Sequence, residues 1–210
     1  MGCSAGRQNT CGSNNNFFGA EAGSANTSGC YNNFFGCKAG RLNSTGSYNN
    51  FFGLYAGCKN TTGQHNVFIG AHAGFANTGG NANIAIGCRA LDSMTCTQDN
   101  IAMGTYAGQT LTTGSNNIFL GQRAGCSITT AQNNILLGNS AGLSLQTGPS
   151  NFMVGTYAGR NKNLTAQHNV MFGAFAGCAG GSGSFNFMAG FRAGQHHSTG
   201  AHNFFIGSYA

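Results

Sequence analysis

One seventeen-residue unit, G-x-x-A-G-x-x-N-T-T-G-x-x-N-φ-φ-φ with φ apolar, is written again and again through this 210-residue chain. Take the glycine that opens G-x-x-A as position 1. The copies then begin at Gly2, Gly19, Gly36, Gly53, Gly70, Gly87, Gly104, Gly121, Gly138, Gly155, Gly173, Gly190 and Gly207. Every interval is 17 residues except the 18 between Gly155 and Gly173, and position 4 is alanine in all thirteen copies. A fixed period of this kind marks an array of stacked units, none of which buries its apolar face alone. Seventeen residues are too few for a pair of helices and suit one coil of a parallel β-solenoid. The expectation is an all-β chain, one continuous array over residues 1–210 with about twelve coils. At about 4.8 Å per coil its length is roughly 58 Å.

Within a coil, the glycines at positions 1, 5 and 11 interrupt any helix and supply turns. The apolar triplet at positions 15–17 is the strand, as in Val67–Ile69, Ile84–Ile86, Ile118–Leu120 and Ile135–Leu137. A second short extended segment is expected at positions 2–4, ending on the alanine. Position 14 is asparagine in all twelve copies: Asn15, Asn32, Asn49, Asn66, Asn83, Asn100, Asn117, Asn134, Asn151, Asn169, Asn186 and Asn203. Stacked at the coil spacing, these form a structural ladder of amides bonded to one another and to nearby backbone. Two coils depart from the pattern. The one opening at Gly87 carries Leu91 and Thr97 where glycines are usual, together with Asp92 and Asp99. The one opening at Gly155 has one extra residue around 161–164. Both read as bulged surface loops.

Thirty-six glycines and a single proline resemble a disordered composition, but 17 phenylalanines and the repeated apolar triplets oppose it. Charged residues are 6 % and the formal net charge is +6, thinly spread, so no specific nucleic-acid binding is expected. There is no membrane-spanning run and no apolar leader segment after the N-terminus. The Met-Gly-Cys start is explained by the repeat itself, since Cys37 and Cys88 share position 2 with Cys3. The nine cysteines are scattered over positions 2, 6, 10 and 12 with no C-x-x-C pair. That argues against a zinc site and for free thiols. Met1 falls in position 17 and Ala210 in position 4, so both ends read as uncapped, and the expectation is either a piece of a longer fibre or end-to-end stacking into a filament.

Catalytic chemistry has little to draw on, and neither enzyme activity nor a cofactor is expected. Glu21, Asp92 and Asp99 are the whole carboxylate supply, and no nucleophile motif accompanies any histidine. Position 3 is the exception to this blandness. It reads Glu21, Lys38, Tyr55, His72, Arg89, Tyr106, Arg123, Ser140, Tyr157, Phe175, Arg192 and Tyr209. Lys38, Tyr55, His72, Arg89, Tyr106, Arg123, Tyr157, Arg192 and Tyr209 make a candidate ligand stripe that would grip sugar rings or an anionic polymer. The alternative is that these groups stack on one another and stiffen the array. Positions 8–10, N-T-S and N-T-T among them, include the formal glycosylation acceptors Asn26, Asn43, Asn60 and Asn163. A stacked threonine column there also fits an ice-binding solenoid, the alternative function.

A strand with one wet face alternates apolar and polar residues. Here positions 15, 16 and 17 are all apolar in nine of twelve copies, so both strand faces need cover. One coil has only one interior, and the second face requires another copy of the chain. Asn16, Asn33 and Asn50 make the first three strands wetter on one side.

N-I-A-I-G at 83–87, N-I-A-M-G at 100–104 and N-V-F-I-G at 66–70 resemble the N-S-V-A-I-G signature of YadA-like heads in trimeric autotransporter adhesins. The longer T-T-G-x-x-N-x-x-x-G-x-x-A-G resembles repeats of phage and viral tail-fibre proteins. The resemblance implies a left-handed parallel β-roll, a homotrimer around a common axis, and a structural or adhesive fibre segment of a virion or cell surface. A glycan or cell-surface receptor would be the partner. Nine cysteines favour the viral or phage fibre over the bacterial adhesin.

Overall fold

A computed structural model describes residues 2–160, 165–179, 181–197 and 199–210. The chain is an all-β solenoid with twelve three-residue strands. They are β1 (Asn16–Phe18), β2 (Asn33–Phe35), β3 (Asn50–Phe52), β4 (Val67–Ile69), β5 (Ile84–Ile86), β6 (Ile101–Met103), β7 (Ile118–Leu120), β8 (Ile135–Leu137), β9 (Phe152–Val154), β10 (Val170–Phe172), β11 (Phe187–Ala189) and β12 (Phe204–Ile206). All occupy positions 15–17 of the repeat. Two compact units divide the chain, Met1–Ile101 and Ala102–Ala210.

In the first unit β1 to β5 pair parallel in sequence order, residue for residue, as in Phe34 opposite Phe51 and Phe51 opposite Phe68. In the second, β7 to β12 do the same. Register survives the longer coil, since Phe152 still faces Val170. The bulge expected at 161–164 lies outside the described residues.

Alternation along each strand sends position 16 inward and positions 15 and 17 outward. The inward residues of the first unit form a column of rings, with Phe17, Phe34, Phe51 and Phe68 stacked at centroid separations of 5.1, 4.8 and 4.8 Å. Across the coil the position 4 alanines Ala22, Ala39, Ala56, Ala73 and Ala90 are fully buried. The second unit fills the same place with Phe119, Leu136, Met153, Met171 and Met188.

Positions 2–4 are not extended. Ala22 N–H donates to Gly19 O, Ser24 N–H to Glu21 O and Asn26 N–H to Gly23 O, three overlapping turns in eight residues. Two of them place a positive φ at their third residue, Glu21 (56°) and Gly23 (56°), a position most turns reserve for glycine or asparagine. This left-handed backbone turns alternate N–H groups up and down the stack. Glu21 N–H reaches back to Cys3 O, whereas Gly23 N–H reaches forward to Ala39 O. At Gly23 a side chain is also excluded by space, because a Cβ would lie 2.7 Å from the Phe17 ring.

The coil opening at Gly87 is not a bulge either. Ala76 N–H bonds Asp92 O, Thr78 N–H bonds Thr95 O and Asn81 N–H bonds Thr97 O, all in register with the coil before. Leu91, Met94 and Thr97 point inward and are buried. The reason is volume. Elsewhere in this unit the position 5 glycine faces a phenylalanine, as Gly74 faces Phe68. The ring that would face Leu91 is replaced by Ala85, and the leucine fills the space that the phenyl group vacates.

Two amide ladders bind the coils of the first unit. At position 14 each Oδ1 accepts the next asparagine's backbone N–H: Asn32 N to Asn15 Oδ1 at 2.9 Å, Asn49 to Asn32 at 3.0 Å and Asn66 to Asn49 at 3.0 Å. The pattern recurs in the second unit from Asn134 on Asn117 to Asn203 on Asn186. A second ladder runs at position 8, where Asn26, Asn43, Asn60 and Asn77 each donate Nδ2 to the preceding Oδ1 at 2.6–2.8 Å. The position 11 carbonyl joins the two, since Gly46 O accepts from Asn32 Nδ2 at 2.8 Å and from Asn43 Nδ2 at 2.9 Å.

Candidate functional site

Position 8 is the first place to look, because it carries the formal glycosylation acceptors. Asn26, Asn43 and Asn60 are fully buried with both amide ends engaged, so none presents an amide to a transferase. Asn163 lies outside the described residues. The adjoining position 9 hydroxyls are also committed: Thr27 Oγ1 donates to Ser44 O at 3.1 Å and Thr61 Oγ1 to Thr78 O at 2.9 Å. The exposed position 10 column is broken by Gly79 and Cys96.

The position 3 column folds onto itself. In the first unit Lys38 Nζ donates to the Tyr55 hydroxyl at 3.2 Å and sits 5.2 Å from its ring centroid. That hydroxyl pushes the lysine pKa up. Tyr55 packs on His72 at 5.1 Å, His72 on Phe75 at 5.1 Å, and Lys59 lies 5.0 Å from the Phe75 centroid. In the second unit the Arg192 guanidinium is 5.6, 5.1 and 5.5 Å from the centroids of Phe175, Phe191 and Tyr209, and Tyr157 packs on Phe175. So Lys38, Tyr55 and His72 come together, and so do Tyr157, Arg192 and Tyr209. Arg89 and Arg123 stand exposed, and Tyr106 is half-buried. Some of these contacts are tilted and some edge-on, as Tyr55 on Phe75 and Phe191 on Tyr209, and Tyr209 itself remains exposed.

Position 13 is a second column, where the sequence, with His65, His168 and His202, suggests polar turn residues or a ring of histidines for a metal. Its residues, Tyr31, Tyr48, His65, Ala82 and Asp99 in the first unit, all have φ between 54° and 60°. Tyr31, Tyr48 and His65 stack at 5.0 and 4.9 Å with rings within 5° of parallel. In the second unit His168, Phe185 and His202 stack at 4.7 and 5.1 Å. A residue type that so disfavours positive φ gives no signal for it. Only the hydrogen bond from each N–H to the coil behind, Tyr48 N to Cys30 O for example, reveals why it is held there.

Beside this column lies the outward strand face. Positions 15 and 17 are half-buried or exposed, with Phe18 49 %, Phe52 39 % and Ile69 39 % accessible in the first unit and Met103 43 % and Phe204 70 % in the second. With Tyr31, Tyr48, Leu54 and Phe185, also exposed, each unit shows an apolar strip that its own chain does not cover.

The remaining chemistry is sparse. All nine cysteines are free; burial pushes the Cys58, Cys126 and Cys178 thiols up, and the Ser13 N–H pulls Cys30 down. Among the described residues no cluster of three His, Cys, Asp or Glu is placed to hold a metal ion, and no helix is long and apolar enough to cross a membrane. The interior cavity beside Met153, Met171, Met188 and His197 is about 10 Å³, room for one water at most. Comparison with protein-family models, with curated proteins and with solved structures finds no match.

Proposed function

We propose that the chain is a non-catalytic fibre segment, structural or adhesive, whose coils associate with other copies along the outward strand face. The observation that carries this reading is the exposed apolar strip at positions 15 and 17. Each unit's strand face is about 10 Å wide and at least about 24 Å tall, roughly 240 Å² or more. At about 25 cal/mol per Å² the burial is worth many kcal/mol before the cost of association. A left-handed homotrimer closes such a strip symmetrically around one axis, and the sequence resemblance to adhesin heads and viral or phage tail fibres points to the same number and setting. Engagement of the position 3 rings with one another supports a stiffening role for that column, leaving Arg89 and Arg123 as the groups on it to meet a glycan or receptor. Commitment of the position 9 hydroxyls to backbone favours this reading over ice binding.

The test is a pair of charges on the strip, Phe52→Lys with Ile69→Lys. The expected result is loss of association with the β-type circular dichroism spectrum retained, and no thermal hysteresis in either protein. An unchanged mass for the folded variant counts against the proposal, and thermal hysteresis by the native chain would favour the ice binder.

A further inference from the structure

Position 15 changes chemistry within the first unit. It is asparagine in β1, β2 and β3 and aliphatic in β4 and β5, where Val67 and Ile84 stand. Asn16 Nδ2 donates to Asn33 Oδ1 at 2.7 Å, and Asn33 Nδ2 to Asn50 Oδ1 at 2.8 Å. The next rung is Val67, which has no acceptor side chain, and no acceptor among the described residues takes the Asn50 Nδ2 hydrogens. The result is a polar seam three rungs tall on a face otherwise made of Phe18, Phe35 and Phe52 on one side and Tyr31 and Tyr48 on the other.

Covering such a face desolvates the amides, so an occupant must be polar against the seam and apolar beside and beyond it. It must also repeat these features at the coil spacing of about 4.8 Å. A second copy of this chain, laid alongside in the same direction, meets every one of these requirements: its own seam lies against the seam and its own Val67 and Ile84 lie against theirs. Resting on the self-association proposed above, we infer that the Asn16–Asn33–Asn50 seam sets the register and direction of pairing between copies. A slip of one coil sets the Asn50 amide against an aliphatic rung and leaves its Nδ2 without a partner across the seam. One polar rung in an apolar seam fixes the register of coiled coils by the same physics.

The test places a spin label at the exposed residue Gln64, through a genetically encoded keto amino acid that spares the nine cysteines. Inter-chain distances are then measured in the full chain and in its N16V/N33V/N50V variant. The expected result is one narrow distance in the parent and several in the variant, offset by slips of about 4.8 Å per coil. If the triple variant does not fold, Asn50→Val alone, which copies the rung above it, is expected to add a one-coil slip. A single unchanged distance in a folded, associated variant overturns the inference while leaving self-association intact. Absence of any inter-chain distance in the parent overturns both.

Discussion

At the scale of single residues the coils are held by matched pairs. In the first unit asparagine at position 8 goes with glycine at position 11, where a Cβ at Gly46 would meet Gly63 O of the next coil and lie 2.5 Å from Asn43 Oδ1. Where position 8 turns apolar, position 11 admits Thr97 beside Met94 and Ala131 beside Ile128, while Leu111 and Leu145 keep Gly114 and Gly148. Removing one amide strands its neighbours. Asn60→Ala leaves Asn43 Oδ1 without its Nδ2 donor and Asn77 Nδ2 with only its bond to Gly80 O. The expected loss is about 2–4 kcal/mol in urea unfolding, against about 0.5 kcal/mol or less for Thr62→Ala on the exposed surface. The Ala85 and Leu91 pair makes a second prediction. Ala85→Phe alone is expected to cost about 1–3 kcal/mol by overpacking, and Leu91→Gly alone about 2–4 kcal/mol by leaving a cavity. The double variant restores the Phe and Gly arrangement of the earlier coils, and a double-mutant cycle is expected to show the two costs largely cancelling. Asp92 makes a third. Burial pushes its carboxyl pKa up although His72, Arg89 and Lys59 pull it down, and its Oδ1 is buried without a hydrogen-bond partner. A carboxyl raised on folding favours the protonated form, so stability is lost as pH rises from the unfolded pKa through the folded one. Asp92→Asn is expected to raise Tm at pH 7 and flatten the profile across the acid range; an unchanged or lowered Tm at pH 7 contradicts this. In the sequence N-x-S/T at position 8 reads either as a glycosylation acceptor or as a product of an Asn/Thr-rich repeat. Burial is what separates the two.

At the scale of elements, the strands were legible because three apolar residues after an asparagine recur at a fixed interval, and all twelve lie at positions 15–17. The turn side was not. Tyr, Arg, Lys and His at position 3 have no preference for positive φ, yet Tyr55, Arg89, Lys38 and His72 all adopt φ of 56–59°. What holds them is a hydrogen bond to the coil behind, such as Lys38 N–H to Ala20 O at 2.8 Å, and no single coil contains that partner. Local pattern therefore locates the strands, whereas the turns are fixed by stacking. The strand triplet also carries the outward face, and a charge there separates packing from association. Ile69→Lys is expected to leave the unfolding transition of the dilute chain within about 1 kcal/mol, because the side chain already meets solvent. Phe68→Lys, one residue away and fully buried, is expected to abolish folding.

At the scale of the whole molecule, the assembly we propose rests on the outward strip that neither unit covers. Among the described residues the interior is filled, the amides are laddered and many position 3 rings engage one another, and the strip is an apolar feature left to solvent. Trimer and dimer both cover it, and threefold closure around one axis is the arrangement proposed. The most direct measurement is the solution mass of the native chain by multi-angle light scattering under reducing conditions, where thiol cross-links do not contribute. The expected mass is about three times the 21.5 kDa of one chain. A mass near twice that value leaves the buried strip and rejects the trimer, and a mass of one chain across the accessible concentration range contradicts self-association altogether.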